Sequence, residues 1–213
     1  MLFSVNNKKN YYGITVLISN YDELSDCILN NIYRSRKEIF IDRKKWAVAS
    51  YLGGDLESDE YDDSEAYYIY TLHQNSITGC VRLRPSTSPT LLTGPLKNLK
   101  KENIEEVKSE KTWEASRFFI TPNSTLRETK GSADTRTYIL FISMIEFGIA
   151  IGILKYEVVV DSMMMRILRM CGWPLYILNS DSGSLGEKIY YGTLSCSSQS
   201  LNNIILTKKN KEL

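Results

Sequence analysis

Apolar residues recur at helical spacing from Tyr21 to about Phe40, with Leu24, Ile28, Ile32 and Ile39 on one face. Asn20 can cap the start, and Glu23, three residues on, completes a capping box. Arg36 and Phe40 are four apart near the end and so project as neighbours. Ser50–Ala66 then holds seven acids and no base, which reads as a loop. Tyr67–Leu72 and Ile77–Arg84 alternate around Gln74-Asn75-Ser76, the pattern of a hairpin. Regular alternation puts Ile77, Gly79, Val81 and Leu83 on one face and Cys80, Arg82 and Arg84 on the other. Pro85–Pro95 is turn-rich, and Lys97–Lys111 is a mixed-charge, solvated stretch. Thr112–Thr121 reads as a buried strand, Ala133 to about Gly152 as a long apolar helix and Tyr156–Val160 as a strand. A short helix Ser162–Cys171 closed by Gly172 follows, then strands Leu175–Leu178 and Ile189–Leu194. Helices between strands in the second half imply crossovers and a sheet covered on both faces. No internal repeat or linker divides the chain, so one domain over 1–213 is expected.

Composition narrows the class. The 213 residues carry 26 basic and 25 acidic side chains, net +1, which excludes a disordered chain and argues against a general nucleic-acid binder. The longest greasy run, Tyr138–Leu154, has a carboxylate, Glu146, near its middle, so a buried helix is a better reading than a membrane span. Met1–Asn10 has no apolar core, so an export signal is not expected, and the cysteine usage suits a reducing, cytoplasmic setting. Cys27, Cys80, Cys171 and Cys196 are too scattered for a metal knuckle or redox pair, and free thiols are expected. His73 is the only histidine and reads as a solvent-facing strand end, so no metal site is expected.

Candidate chemistry lies where charge meets apolar sequence. Arg82 sits in a strand, Asp59 and Asp62 in the acidic loop, and Glu114 with Arg117 in the otherwise apolar TWEASRFFIT. Buried ions cost several kcal/mol each unless satisfied, so such groups belong to a site or to a structural ion pair. Glu114 and Arg117, three apart, face opposite sides of a regular strand. A bulge between them is required if both are to serve one pocket.

Together, Arg36-x-x-x-Phe40, Trp46, LESDEYD (Leu56–Asp62), GCVRLRP (Gly79–Pro85), WEASRFFI (Trp113–Ile120), MMMRILRMCGWP (Met163–Pro174) and GEKIYYGTL (Gly186–Leu194) resemble the acyl-homoserine-lactone synthases, the LuxI-type autoinducer synthases. The resemblance runs from about 21 to 194, leaving an N-terminal extension of about 1–20 and a tail of 195–213 outside its strongest part. It implies an α/β fold: a three-layer sandwich whose mixed twisted sheet is flanked by helices, like the Gcn5-related N-acetyltransferases. A V-shaped cleft would open between two parallel strands, here Thr112–Thr121 and Tyr156–Val160.

The resemblance also implies the reaction. An acyl chain on acyl carrier protein passes to the amine of S-adenosylmethionine, and lactonisation then releases methylthioadenosine, giving a quorum-sensing signal. S-adenosylmethionine is a substrate there, and no cofactor or metal is implied. Its binding residues would be Arg36, Phe40, Trp46, Asp59, Asp62, Arg82 and Arg117, the acids acting directly or by ordering the loop through arginine pairs. Glu114 is the candidate base, with Asp62 or an ordered water as rivals. Taken alone, aromatics such as Phe40 and Trp46 are core more often than site. The acyl pocket would be Phe118, Phe141, Met144, Val158, Val160 and Leu168. Val158, where 3-oxo producers often have threonine, leans towards an unsubstituted chain; Asp161 stands where a small or hydroxyl residue is usual. Arg127, Lys130, Arg166 and Arg169 are candidates for docking the acidic carrier protein. The alternatives are an acyl-coenzyme A N-acyltransferase of the same fold or a catalytically inactive ligand-binding homologue. The pyrophosphate-holding Gln/Arg-x-x-Gly-x-Gly/Ala turn of the first is not found in the sequence.

Overall fold

A computed structural model describes residues 8–11, 13–100, 109–122 and 133–210. Its frame is one eight-stranded sheet in the order β1-β2-β3-β4-β5-β6-β8-β7. The strands are β1 (Lys9–Tyr11), β2 (Ile14–Asn20), β3 (Tyr67–His73), β4 (Ser76–Pro85), β5 (Thr112–Ile120), β6 (Lys155–Asp161), β7 (Tyr176–Ser182) and β8 (Lys188–Ser195). The helices are α1 (Asp26–Arg36), α2 (Thr135–Ile151), α3 (Ser162–Met170) and α4 (Ser198–Lys209). Every neighbouring pair is antiparallel except β5 and β6.

That parallel pair is short. Only Thr112, Trp113 and Glu114 are paired, with Lys155, Tyr156 and Glu157, before the strands part into the expected V. The opening has a local cause on the β5 side. Ser116 lies opposite Arg82 and Phe119 opposite Cys80, so Arg117 and Phe118 together face Val81 alone. This is the bulge that the shared-pocket reading required, and it falls at Arg117, whose φ is 55°. Trp113, Ala115 and Phe118 pack on the α2 side, whereas Glu114, Ser116 and, through the bulge, Arg117 meet groups of the opposite face.

Helices cover both faces. α1 packs Leu29, Ile32 and Tyr33 on Tyr68, Tyr70 and Cys80. On the other face α2 supplies Leu140, Phe141, Met144 and Ile145, joined by Leu168 of α3 and Ile204 of α4. Trp173 ties these together, with its ring at 5.3 Å from Phe141 and 6.4 Å from Tyr156. Asp134 caps α2 through the Arg136 amide, and Gly152 ends it at φ 83°. Glu146, the carboxylate inside this greasy helix, is held by Lys9 at 2.6 Å on β1. Among the described residues no helix is long and apolar enough to cross a membrane.

Several sequence expectations need correction. The helix expected over Tyr21–Phe40 is three pieces. The Asn20–Glu23 capping box is present but starts only a 3₁₀ turn, Tyr21–Glu23, before Ser25 caps α1. From Lys37 to Arg43 the chain then winds as a π-helix. In the hairpin, Gln74 and Asn75 both take positive φ, and Thr78 is bulged against the Thr71/Leu72 step. That extra residue reverses the parity, so Ile77 packs with Cys80 under α1 and not with Val81. β1, β2 and α4 lie in the terminal segments to which no elements were assigned.

Candidate active site

Four segments distant in sequence deliver six charged side chains to one place: Arg36 from the end of α1, Glu57, Asp59 and Asp62 from the acidic loop, Arg82 from β4 and Arg117 from the β5 bulge. Arg36 donates from Nε to Glu57 Oε2 at 2.5 Å and from Nη1 to both Asp62 oxygens at 2.8 and 3.0 Å. Arg82 Nη1 donates to Asp62 Oδ1 at 2.7 Å and, more closely, to Asp59, while its Nη2 reaches Asp59 Oδ2 at 3.1 Å. Arg117 Nη2 donates to Glu57 Oε1 at 2.9 Å and to Asp59 Oδ2 at 2.7 Å. Three cations against three carboxylates leave no net charge, which is how groups this deeply buried are tolerated.

The lattice also fixes the loop. Asp62 accepts from the Asp59 amide at 2.8 Å and the Tyr68 hydroxyl at 2.6 Å, and Asp59 accepts from the Tyr61 amide at 3.0 Å. Burial alone would raise the Asp62 pKa, but Arg36 and Arg82 hold it well below the usual carboxylate range. Glu57 was not foreseen as a site residue. It is fully buried and bridges Arg36 and Arg117, yet in sequence nothing separates it from its exposed acidic neighbours.

A cavity of about 620 Å³ opens in the V between β5 and β6. Asp59, Glu114, Ser116 and Arg117 form a polar part of its wall, beside Phe40 and Trp46. Phe118, Phe141, Met144, Val158, Val160 and Leu168, the six residues expected to hold an acyl chain, form an apolar part. Arg36, Asp62 and Arg82 do not reach the wall; they stand behind Asp59 and Arg117. The aromatic pair is stacked, with Phe40 and Trp46 centroids 5.5 Å apart and planes within 3°, and Phe119 meets Phe40 edge-on. The π-helical turn carries Phe40 there, and the Trp46 amide returns to the Phe40 carbonyl at 2.9 Å.

Glu114 is the wall's unusual acid. Arginines neutralise the lattice acids, whereas among the described residues the Glu114 carboxylate accepts from uncharged donors, the amides of Leu91 at 3.3 Å and Leu92 at 2.9 Å and the Thr90 side chain. Burial pushes its pKa up, against the pull of the Leu92 amide and of Arg82. The amides belong to a strap, 86–99, that forms further cavity wall through Leu91, Leu92, Pro95 and Leu96. A second buried acid, Glu157 on β6, ties the strap and the neighbouring chain down by accepting from Ser86 at 2.9 Å, Tyr191 at 2.5 Å and Lys100.

Other residues singled out in the sequence lie elsewhere. His73 ends β3 with Nδ1 at 3.3 Å from the Gly13 carbonyl and does not line the cavity. Cys27 is exposed, the other three cysteines are buried, and all four are unbridged. Arg166 and Arg169 are exposed on α3, whereas Arg127 and Lys130 lie outside the described residues. Asp161 caps α3 through the Met164 amide at 2.7 Å and pairs with Lys44 at 2.8 Å across the cleft.

The chain matches the family model for autoinducer synthases over residues 20–204. It is 29 % identical over 172 residues to an acyl-homoserine-lactone synthase of Enterobacter agglomerans, covering 80 % of this chain and 76 % of that one. Among solved structures it is similar to the AHL synthase LasI, with TM-score 0.76 and 21 % identity over 90 % of this chain and 94 % of that one. It is also similar to BjaI, a CoA-dependent acyl-homoserine lactone synthase solved with SAM and isopentyl-CoA, with TM-score 0.74 and 18 % identity over 94 % and 90 % of the two chains. Its fold is also similar to that of an acyl-CoA N-acyltransferase from Pseudomonas aeruginosa, at TM-score 0.52 and 10 % identity over 84 % of this chain and 98 % of that one.

Proposed function

The chain belongs to the autoinducer synthase family, and from that premise we propose that it transfers an acyl chain from acyl carrier protein to the amine of S-adenosylmethionine and then closes the lactone, releasing methylthioadenosine. The observation that carries this reading is a single cavity whose wall is charged and aromatic in one part and wholly apolar in another. S-adenosylmethionine bears a sulfonium, an ammonium and a carboxylate, and Asp59, the aromatic pair and Arg117 answer these in turn. The acyl chain needs only a greasy channel, which Phe118, Phe141, Met144, Val158, Val160 and Leu168 supply.

Arg36, Asp62 and Arg82 serve by holding Asp59 and Arg117 in place, the loop-ordering role that was one of the two open to the acids. The ammonium must lose a proton before it attacks the thioester, so a base must stand within hydrogen-bond reach or one water away. Glu114 lines the cavity and burial raises its pKa above the ordinary glutamate value, which suits a base. Asp62 is held low by two guanidiniums and turned away from the cavity, so proton transfer to it is unfavourable. The proton gone, the amine nitrogen attacks the thioester carbon and the carrier thiol departs. The methionyl carboxylate then displaces methylthioadenosine from the γ-carbon. Val158 offers no hydrogen bond, so the chain accepted is unsubstituted at its third carbon. The runner-up donor is acyl-coenzyme A, as in CoA-dependent BjaI.

The test is purified protein given S-adenosylmethionine with acyl carrier protein or coenzyme A thioesters of graded length, and the products identified by mass spectrometry. Acyl-homoserine lactone and methylthioadenosine in equal amounts, formed fastest from the carrier protein, are expected. Free acyl-methionine derivatives, no product, or faster turnover with coenzyme A overturn the corresponding part of the reading.

A further inference from the structure

The Lys44 ammonium stands over the face of Trp46 at 4.2 Å from the ring centroid while bonding Asp161 at 2.8 Å. Phe40 stacks on the same ring. Lys44, Trp46 and Asp161 all line the cavity. An aromatic face beside a carboxylate is what an organic cation seeks, and here the protein's own cation fills it. Asp161 caps α3 with Oδ1 and meets Lys44 with Oδ2, so the two duties are separable.

We propose that Trp46 and Asp161 form a cation subsite of the cavity, filled in the free protein by Lys44 and taken over by a positive pole of S-adenosylmethionine as Lys44 swings aside. This rests on S-adenosylmethionine being the substrate. With Lys44 in place the subsite is neutral and sterically full; a second cation can enter only as the first leaves. Lys44 is free to go, because its side chain is 32 % exposed, its stem is flexible and a pair this open is weakly held. Lys44 thus acts as a built-in competitor that sets the affinity for the cationic substrate.

The signs of two substitutions decide it. Lys44→Met keeps the apolar stem and leaves Asp161 and the Trp46 face vacant. S-adenosylmethionine should then bind about three- to tenfold tighter by calorimetry, with neutral methylthioadenosine unchanged. Asp161→Asn keeps the helix cap, which asparagine also serves, but leaves Lys44 uncompensated. S-adenosylmethionine should bind about threefold or more weaker, again with methylthioadenosine unchanged. If the pair merely braces Trp46, both variants weaken binding, and that result overturns the proposal, as does an equal shift for both ligands. If no protein binds S-adenosylmethionine, the substrate reading fails and trimethylsulfonium, followed by ¹⁵N indole NMR of Trp46, decides the subsite. Tighter binding to Lys44→Met than to the unaltered protein sustains it, and equal or weaker binding refutes it.

Discussion

Asp62→Asn separates a scaffold role from a catalytic one. Asp62 is 2 % exposed at its side chain and accepts from Arg36, Arg82, Tyr68 and the Asp59 amide. The lattice is neutral at three charges of each sign, so asparagine leaves one guanidinium uncompensated in a dry interior. Removing one partner of such a set costs about 3–5 kcal/mol. For a chain of this size each kcal/mol lowers the melting temperature by about 2–4 °C, so a fall of about 6–20 °C at pH 7 is expected. The pH dependence has a definite sign. The folded-state pKa of Asp62 lies below its unfolded value near 3.9, so its contribution is complete above about pH 4 and is lost as the pH falls through the folded value. The melting temperatures of the two proteins should therefore converge in acid. Thermal melts by circular dichroism from pH 3 to 8 make the measurement. A variant melting within about 2 °C of the original at pH 7, or a gap that does not narrow in acid, refutes the scaffold account; a well-folded variant that has lost only turnover returns Asp62 to the role of base.

Glu114→Gln should lower kcat by about 10²–10⁴ with S-adenosylmethionine affinity changed less than threefold, because glutamine still accepts one strap amide but takes no proton. The acid limb of the unaltered enzyme's pH–rate profile should lie above the ordinary glutamate pKa, since burial raises Glu114; near-normal turnover of the variant removes Glu114 from the base role. Val158→Thr adds a donor to the apolar wall and should raise the preference for 3-oxo over unsubstituted thioesters about fivefold, as competition assays with mixed donors would read, and an unchanged ratio discounts the position. Phe141→Ala should cost about 3–5 kcal/mol in urea melts and shift the best donor to a longer chain, because Phe141 packs on both Phe118 and Trp173.

Periodicity made the strands and helices that build the cleft legible, because β4, β5, α2 and β6 each carry a strong apolar pattern bounded by turn or cap residues. It failed where one residue changes parity. The bulged Thr78 moves Ile77 to the other face, and alternation alone cannot show it. The bulge at Arg117 was legible only because two costly ions three apart demanded a common destination. Helix boundaries failed through competition between caps: Ser25 recaps two residues after the 3₁₀ turn that Asn20 starts. The polar and apolar cavity residues were legible by resemblance, whereas Glu57 and Lys44 were not. Their importance comes from partners 60 and 117 residues away, which no local window holds. Asp161, unaccounted for in sequence, is explained by its cap and its lysine.

The most direct measurement is a crystal structure of the protein with S-adenosylmethionine bound. The account predicts the ligand inside the V between β5 and β6, its amine within about 3.2 Å of Glu114 or one water away, its cationic groups beside Asp59 and Trp46, and Lys44 displaced. A ligand bound outside this hollow, or lying in it with the amine directed away from Glu114, would contradict it.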